Sequence, residues 1–222
     1  MDITTTLSAI PGTVVLIGLL IATTLLVVLV NWRLLILALG AQYILVGLML
    51  TRTVPLELAA VKALVGVMIC PVLFITARRV HWGRSDEDDA EPAKPRSRLG
   101  WLISPGLPMR LLAGLLTLVL SASLALRNPL PITGNSIISR DLTVAIFSML
   151  VLGLLNAALN ENPLKVGIGL LTLLAGFELF YTVIDPTLTI VGLLGLTNLI
   201  IALAISYLTT AWAAHPPREA QP

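Results

Sequence analysis

The chain has 222 residues, of which 57% are hydrophobic and only 12% charged, with a mean hydropathy of +0.96. Soluble domains carry about a quarter charged residues, so this composition excludes a soluble enzyme or a nucleic-acid-binding module and defines a polytopic, all-α integral membrane protein. The net charge of +2 comes from a few Arg and Lys residues between apolar runs, where they report orientation.

The opening residues, "MDITTTLSAIPG", lack a basic n-region and a small-residue cleavage site, so the first apolar run is expected to be a retained span. Crossing a bilayer takes ~17–25 apolar residues in a helix. Seven such runs are expected, at 11–31, 34–51, 54–77, 108–126, 141–159, 164–184 and 187–209. The punctuation fits: "VNWR", "TRTVP", "NENPLK" and "IDPT" separate neighbouring runs. The short turns at Asn31–Arg33 and Asp185–Pro186 predict antiparallel hairpins, and Pro71 predicts a kink or an opened hydrogen-bond ladder in the third span. The polar segment "RRVHWGRSDEDDAEPAKPRSRLGW" reads as a solvated loop or as a dock for a soluble partner, followed by an interfacial stretch.

Orientation follows from the Arg and Lys residues near span ends. With the N-terminus outside, the cytoplasmic side holds ten: Arg33, Arg78, Arg79, Arg84, Lys94, Arg96, Arg98, Arg110, Lys165 and Arg218. The outer side holds three, Arg52, Arg127 and Arg140. The C-terminus is then cytoplasmic.

An internal repeat is visible between "NWRLLILALGAQYILVGLML" (31–50) and "NPLKVGIGLLTLLAGFELFY" (162–181). Each begins at an Asn with a basic residue close behind, continues through a glycine-containing run with one central polar residue, Gln42 or Glu178, and is followed by a turn with a proline, Pro55 or Pro186. Two parallel three-helix repeats are therefore expected, joined by the fourth span as a linker helix. The expected organisation is a first membrane unit at 1–79, a polar loop and interfacial segment at 80–107, the linker helix and outer loop at 108–139, a second three-helix unit at 140–211, and a cytoplasmic tail at 212–222.

Ionisable residues inside spans are functional suspects, because burying one costs about 3 kcal/mol even on lenient scales. Lys62 and Glu178 fall at similar depth, one in each repeat, and either pair across the repeat interface or reach separately for the outer interface. Gln42, Asn156 and Asn198 read as amides bonding between helices or as parts of a wet polar path. Gly167, Gly169, Gly176, Gly192 and Gly195 are expected to permit close helix approach. No Walker A, GxGxxG or HExxH pattern occurs, the two histidines His81 and His215 lie in loop and tail, and the one cysteine, Cys70, allows no internal disulfide. No catalytic site, metal or cofactor is expected.

"NPLKVGIGLLTLLAGFELFYTV" and "GLLGLTNLIIALAISYL" resemble the second and third helices of the K-type subunit of complex I, whose relatives occur in Mrp-type antiporters and membrane-bound hydrogenases. The first half, with "LALGAQYILVGLML", "CPVLFITARR" and Gln42, Lys62, Pro71, Arg78 and Arg79 in order, is similar to the first repeat of the component E subunit of hydrogenase-4-type complexes. The resemblance covers most of the chain outside 82–107. It implies a non-catalytic membrane-arm subunit in a bacterial or archaeal plasma membrane, packed against larger antiporter-like subunits and supporting proton or cation translocation. It also implies proton-path roles for Glu178, Lys62, Asn198 and Gln42. Two departures stand out. The family's first acid would fall near Leu171, two turns before Glu178, and its second falls on Asn198, which cannot titrate. Two other readings are an autonomous homo-oligomeric transporter and a scaffold that recruits a soluble partner through the 80–100 loop.

Overall fold

The computed structural model describes residues 11–29, 31–80, 107–127 and 139–214. The polar segment at 81–106, with its charges and His81, and the tail with His215 and Arg218 lie outside the described residues.

Seven helices make up the described chain: α1 Gly12–Val28, α2 Trp32–Leu50, α3 Leu56–Arg79, α4 Leu107–Arg127, α5 Arg140–Ala158, α6 Pro163–Ile184 and α7 Leu188–Ala214. No strand occurs among the described residues. The six helices from α2 to α7 are long and apolar enough to cross a membrane, and α1 is a shorter apolar helix of 17 residues. The fold is thus that of a multi-pass, all-helical membrane protein. The helices begin and end within three residues of the expected spans, with one exception. α7 continues to Ala214, five residues past the expected end at 209, because "AWAA" contains nothing that stops a helix.

Asparagine and proline set the starts. Asn31 and Asn162 cap α2 and α6, each side-chain oxygen accepting from the backbone N–H two residues on, at 3.1 and 3.2 Å. Such a cap satisfies one of the donors that a first helical turn leaves free. Ser139 caps α5 through Leu142 N–H, while Pro55 and Pro11 precede α3 and α1. Pro71 does not end its helix: α3 runs unbroken through it from Leu56 to Arg79.

Helices α1, α2 and α3 pack in one row and α5, α6 and α7 in a second, with α2 and α6 in the middle. The rows face each other so that α1 meets α5, α2 meets α6 and α3 meets α7. α4 leans on α1 and α5 at one edge, and the hydroxyls of Ser121 and Ser148 meet there at 3.2 Å. The expected hairpins α1–α2 and α6–α7 are both present.

Lipid tails are as apolar as leucine, so helix association here rests on close packing and hydrogen bonds rather than on removal of surface from water. The closest backbone-to-backbone contact joins α5 to α6. A Cβ on Gly153 would lie 2.5 Å from Leu173 N, and one on Gly169 would lie 2.6 Å from Ala157 N, so backbone rests on backbone. Gly167, Gly176 and Gly195 also face close neighbours, but Gly192 does not: nothing lies within 4 Å of its Cβ position, because it occupies the exposed face of α7. Several Ser and Thr hydroxyls within spans are satisfied locally. Thr23, Thr76, Thr172, Ser206 and Thr209 each donate to the carbonyl four residues back, which removes the cost of an unpaired polar group in hydrocarbon.

Candidate functional site: a buried ion pair between the two rows

Lys62 on α3 forms an ion pair with Glu178 on α6, in the interior of the bundle. Lys62 is 4% exposed and Glu178 3%. This is the pairing across the two units that depth counting anticipates, and it removes the alternative in which each side chain reaches separately for the interface. α3 borders α2 and α7, while α6 is the middle helix of the opposite row, so the lysine stem crosses a diagonal of the bundle to reach its partner.

Asn198 on α7 completes the cluster. Its Nδ2 donates to Glu178 Oε2 at 3.0 Å, the same oxygen that pairs with Lys62, and the residue is 0% exposed. Counted from the 185–187 turn, Glu178 is six residues into α6 and Asn198 ten residues beyond the start of α7, which puts their Cα atoms about 6 Å apart in depth at 1.5 Å per residue. Helical side chains tilt toward the N-terminus of their own helix. In this antiparallel pair Glu178 therefore leans away from the turn and Asn198 toward it, and the two tips meet.

Beneath the cluster lies Tyr43 of α2, with Lys62 Nζ 5.7 Å from its ring centroid. That separation is within the range of a cation–π contact. Tyr43 fits because Gly66, one turn after Lys62, has no side chain: a Cβ there would fall 2.4 Å from Tyr43 Cβ and Cγ. Sequence reasoning missed Tyr43, although the four-residue spacing from Lys62 to Gly66 carries the signal.

Gln42, 1% exposed, is not a member of this cluster in the described contacts. Its Oε1 accepts from Thr172 Oγ1 on α6 at 3.4 Å, making a second polar link between the rows. Asn156, expected to bond between helices, instead has a local partner: Asn160 Nδ2 reaches both its backbone carbonyl at 2.6 Å and its Oδ1 at 3.0 Å. The reason is position, since Asn156 lies in the last turn of α5, where the chain turns back and presents Asn160.

Five buried side-chain atoms have no hydrogen-bond partner among the described residues: Tyr43 Oη, Lys62 Nζ, Asn156 Nδ2, Glu178 Oε1 and Asn198 Oδ1. Lys62 Nζ is engaged by the ion pair and by the Tyr43 ring. Four of the five belong to the Lys62–Glu178–Asn198–Tyr43 cluster. Among the described residues no group of three or more His, Cys, Asp or Glu side chains is placed to hold a metal ion. The chemistry that the cluster offers is that of one acid and one base in contact, with a fixed amide donor holding the carboxylate.

No family model matches the chain, and neither does any curated protein or solved structure.

Proposed function

We propose that the chain is a non-catalytic membrane-arm subunit of an ion-translocating complex related to complex I, of the hydrogenase-4, NADH/quinone oxidoreductase or Mrp type. In this reading it packs against larger antiporter-like subunits and contributes one acid–base link to a proton or cation path. The observation that carries the reading is the buried Lys62–Glu178 pair with Asn198 at its side. A pair of this kind is a poor stabiliser, because taking two charges out of water costs several kcal/mol per ion. Its presence in a bundle that could be closed with leucine speaks for a role in moving or positioning charge. The resemblance of α6 and α7 to the K-type subunit, where buried acids join the hydrophilic axis, supports the same role.

Further support comes from the arrangement of the rows. Parallel repeats, with α1, α2 and α3 equivalent to α5, α6 and α7 and the N-terminus outside, account for the matching Asn31 and Asn162 caps. α1 is then a seventh span and α4 the linker. Purification from the native membrane in mild detergent tests the reading: large multi-span subunits are expected to accompany the chain, and a homo-oligomer that transports ions without them overturns it.

That second outcome is the autonomous transporter, and one observation favours it. The polar groups Gln42, Lys62, Thr172, Glu178 and Asn198 all lie between the two rows, which is where transporters built from repeats place their sites.

A further inference from the structure

The unpartnered atoms of the ion-pair cluster say which ion it can serve. Glu178 Oε2 is used twice, by Lys62 and by Asn198 Nδ2. That leaves two acceptors, Glu178 Oε1 and Asn198 Oδ1, on adjacent groups and without a donor, and it leaves N–H groups on Lys62 Nζ beyond the ion pair. Buried polar groups in native proteins nearly always find a partner, from protein or from ordered water.

We propose that this cluster takes a single water molecule and rejects alkali cations, so that the ion it can pass is a proton. Water has the matching valence. Its two hydrogens satisfy Glu178 Oε1 and Asn198 Oδ1, and its oxygen accepts from Lys62, giving the three hydrogen bonds usual for a buried water. An alkali ion does not match. Hard cations take about six or more oxygen ligands, and the cluster offers three free ones, Glu178 Oε1, Asn198 Oδ1 and Tyr43 Oη. The carboxylate charge that would hold such an ion is already met by the tethered ammonium of Lys62, which repels a second cation. Asn198 turns its N–H donor, not its oxygen, toward the carboxylate, which closes that side as well. Lys62 thus occupies, as part of the chain, the position that a mobile sodium ion would need.

This deepens the subunit reading in its choice of ion, but its test does not depend on what the chain assembles with, so the two can fail separately. The thermal unfolding midpoint of the detergent-purified wild-type chain, with any partners that remain bound, is measured in matched concentrations of sodium, potassium and choline chloride. Equal midpoints are expected. A rise specific to sodium that disappears in Glu178→Gln overturns the proposal. Lys62→Gln uncovers the carboxylate and is expected to give a midpoint that climbs with sodium; indifference to sodium in a folded variant overturns the assignment of the ammonium as the excluding group. An experimental density map that resolves ordered solvent settles the ligand itself. A water peak in hydrogen-bond reach of Glu178 Oε1 and Asn198 Oδ1 is expected, and an empty or cation-occupied position there overturns it.

Discussion

Asn198 and Glu178, on consecutive antiparallel helices and twenty residues apart, share a 3.0 Å hydrogen bond in which the amide donates to the carboxylate. An asparagine in this place does what a second acid could not: it holds the carboxylate as a permanent donor, without adding charge to a buried site. In the proposed reading, where the K-type subunit keeps an acid at this position, an orienting group stands in place of a titrating one.

Removing Lys62 leaves Glu178 buried and uncompensated. Lys62→Met is expected to destabilise the fold by about 3–5 kcal/mol, whereas Lys62→Met combined with Glu178→Met recovers most of that loss, because replacing both ions with apolar groups is close to neutral. Unfolding in detergent of the two single variants and the double variant measures the coupling. A double variant that costs the sum of the two single variants would show that the charges do not depend on one another.

Asn198→Leu removes a donor to a charged acceptor. Such bonds are worth about 1.5–3 kcal/mol in soluble proteins, while side-chain bonds between membrane helices average about 0.6 kcal/mol. The expected loss lies between these figures and below that of Lys62→Met, and the same unfolding series reads it.

Glu178→Gln keeps a side chain of the same shape next to Asn198 but cannot carry the pair's negative charge. In the complex proposed above, proton translocation is expected to fall about tenfold or more, which corresponds to ~1.4 kcal/mol on a barrier. The readout is acidification by vesicles that contain the variant complex at normal subunit content. Unchanged pumping would leave Glu178 a structural residue.

Gly153→Ala places a methyl group against Leu173 N and Gly169 O, which are backbone atoms that no rotamer change can move. A loss of about 1–3 kcal/mol or more is expected from overpacking. Gly192→Ala meets nothing within 4 Å and is expected to be neutral or mildly stabilising, since alanine is the better helix former by ~1 kcal/mol. Thermal stability of the two variants side by side makes the comparison.

The helices were legible in the sequence because length and apolarity alone define a span, and Pro55, Asn162 and the "IDPT" turn mark their ends. The Lys62–Glu178 pair was legible because two lone charges at one depth in hydrocarbon have few other partners. What surrounds them was not. The helices are apolar on nearly every side, so periodicity does not say which face of α7 or α2 looks inward. The direction of Asn198 and the closeness of Tyr43 depend on that rotation. Gly192 shows the same limit from the other side: its neighbour Gly195 rests against Val65, while Gly192 itself faces outward. Asn156 pointed to a contact between helices until the turn after α5 supplied Asn160.

The backbone contact between α5 and α6 fixes more than distance. Gly153 sits against Leu173 and Gly169 against Ala157, so each helix carries a notch matched to the other. Sliding α6 by one residue would bring a side chain into a space that admits only hydrogen. The axial register of this hairpin is therefore locked, and Glu178, nine residues after Gly169 on the same rigid rod, has its depth set by it. A helix displacement that changes how Glu178 is engaged would therefore fall to α3 or α7, which carry Lys62 and Asn198, moving relative to a backbone whose depth α5 holds.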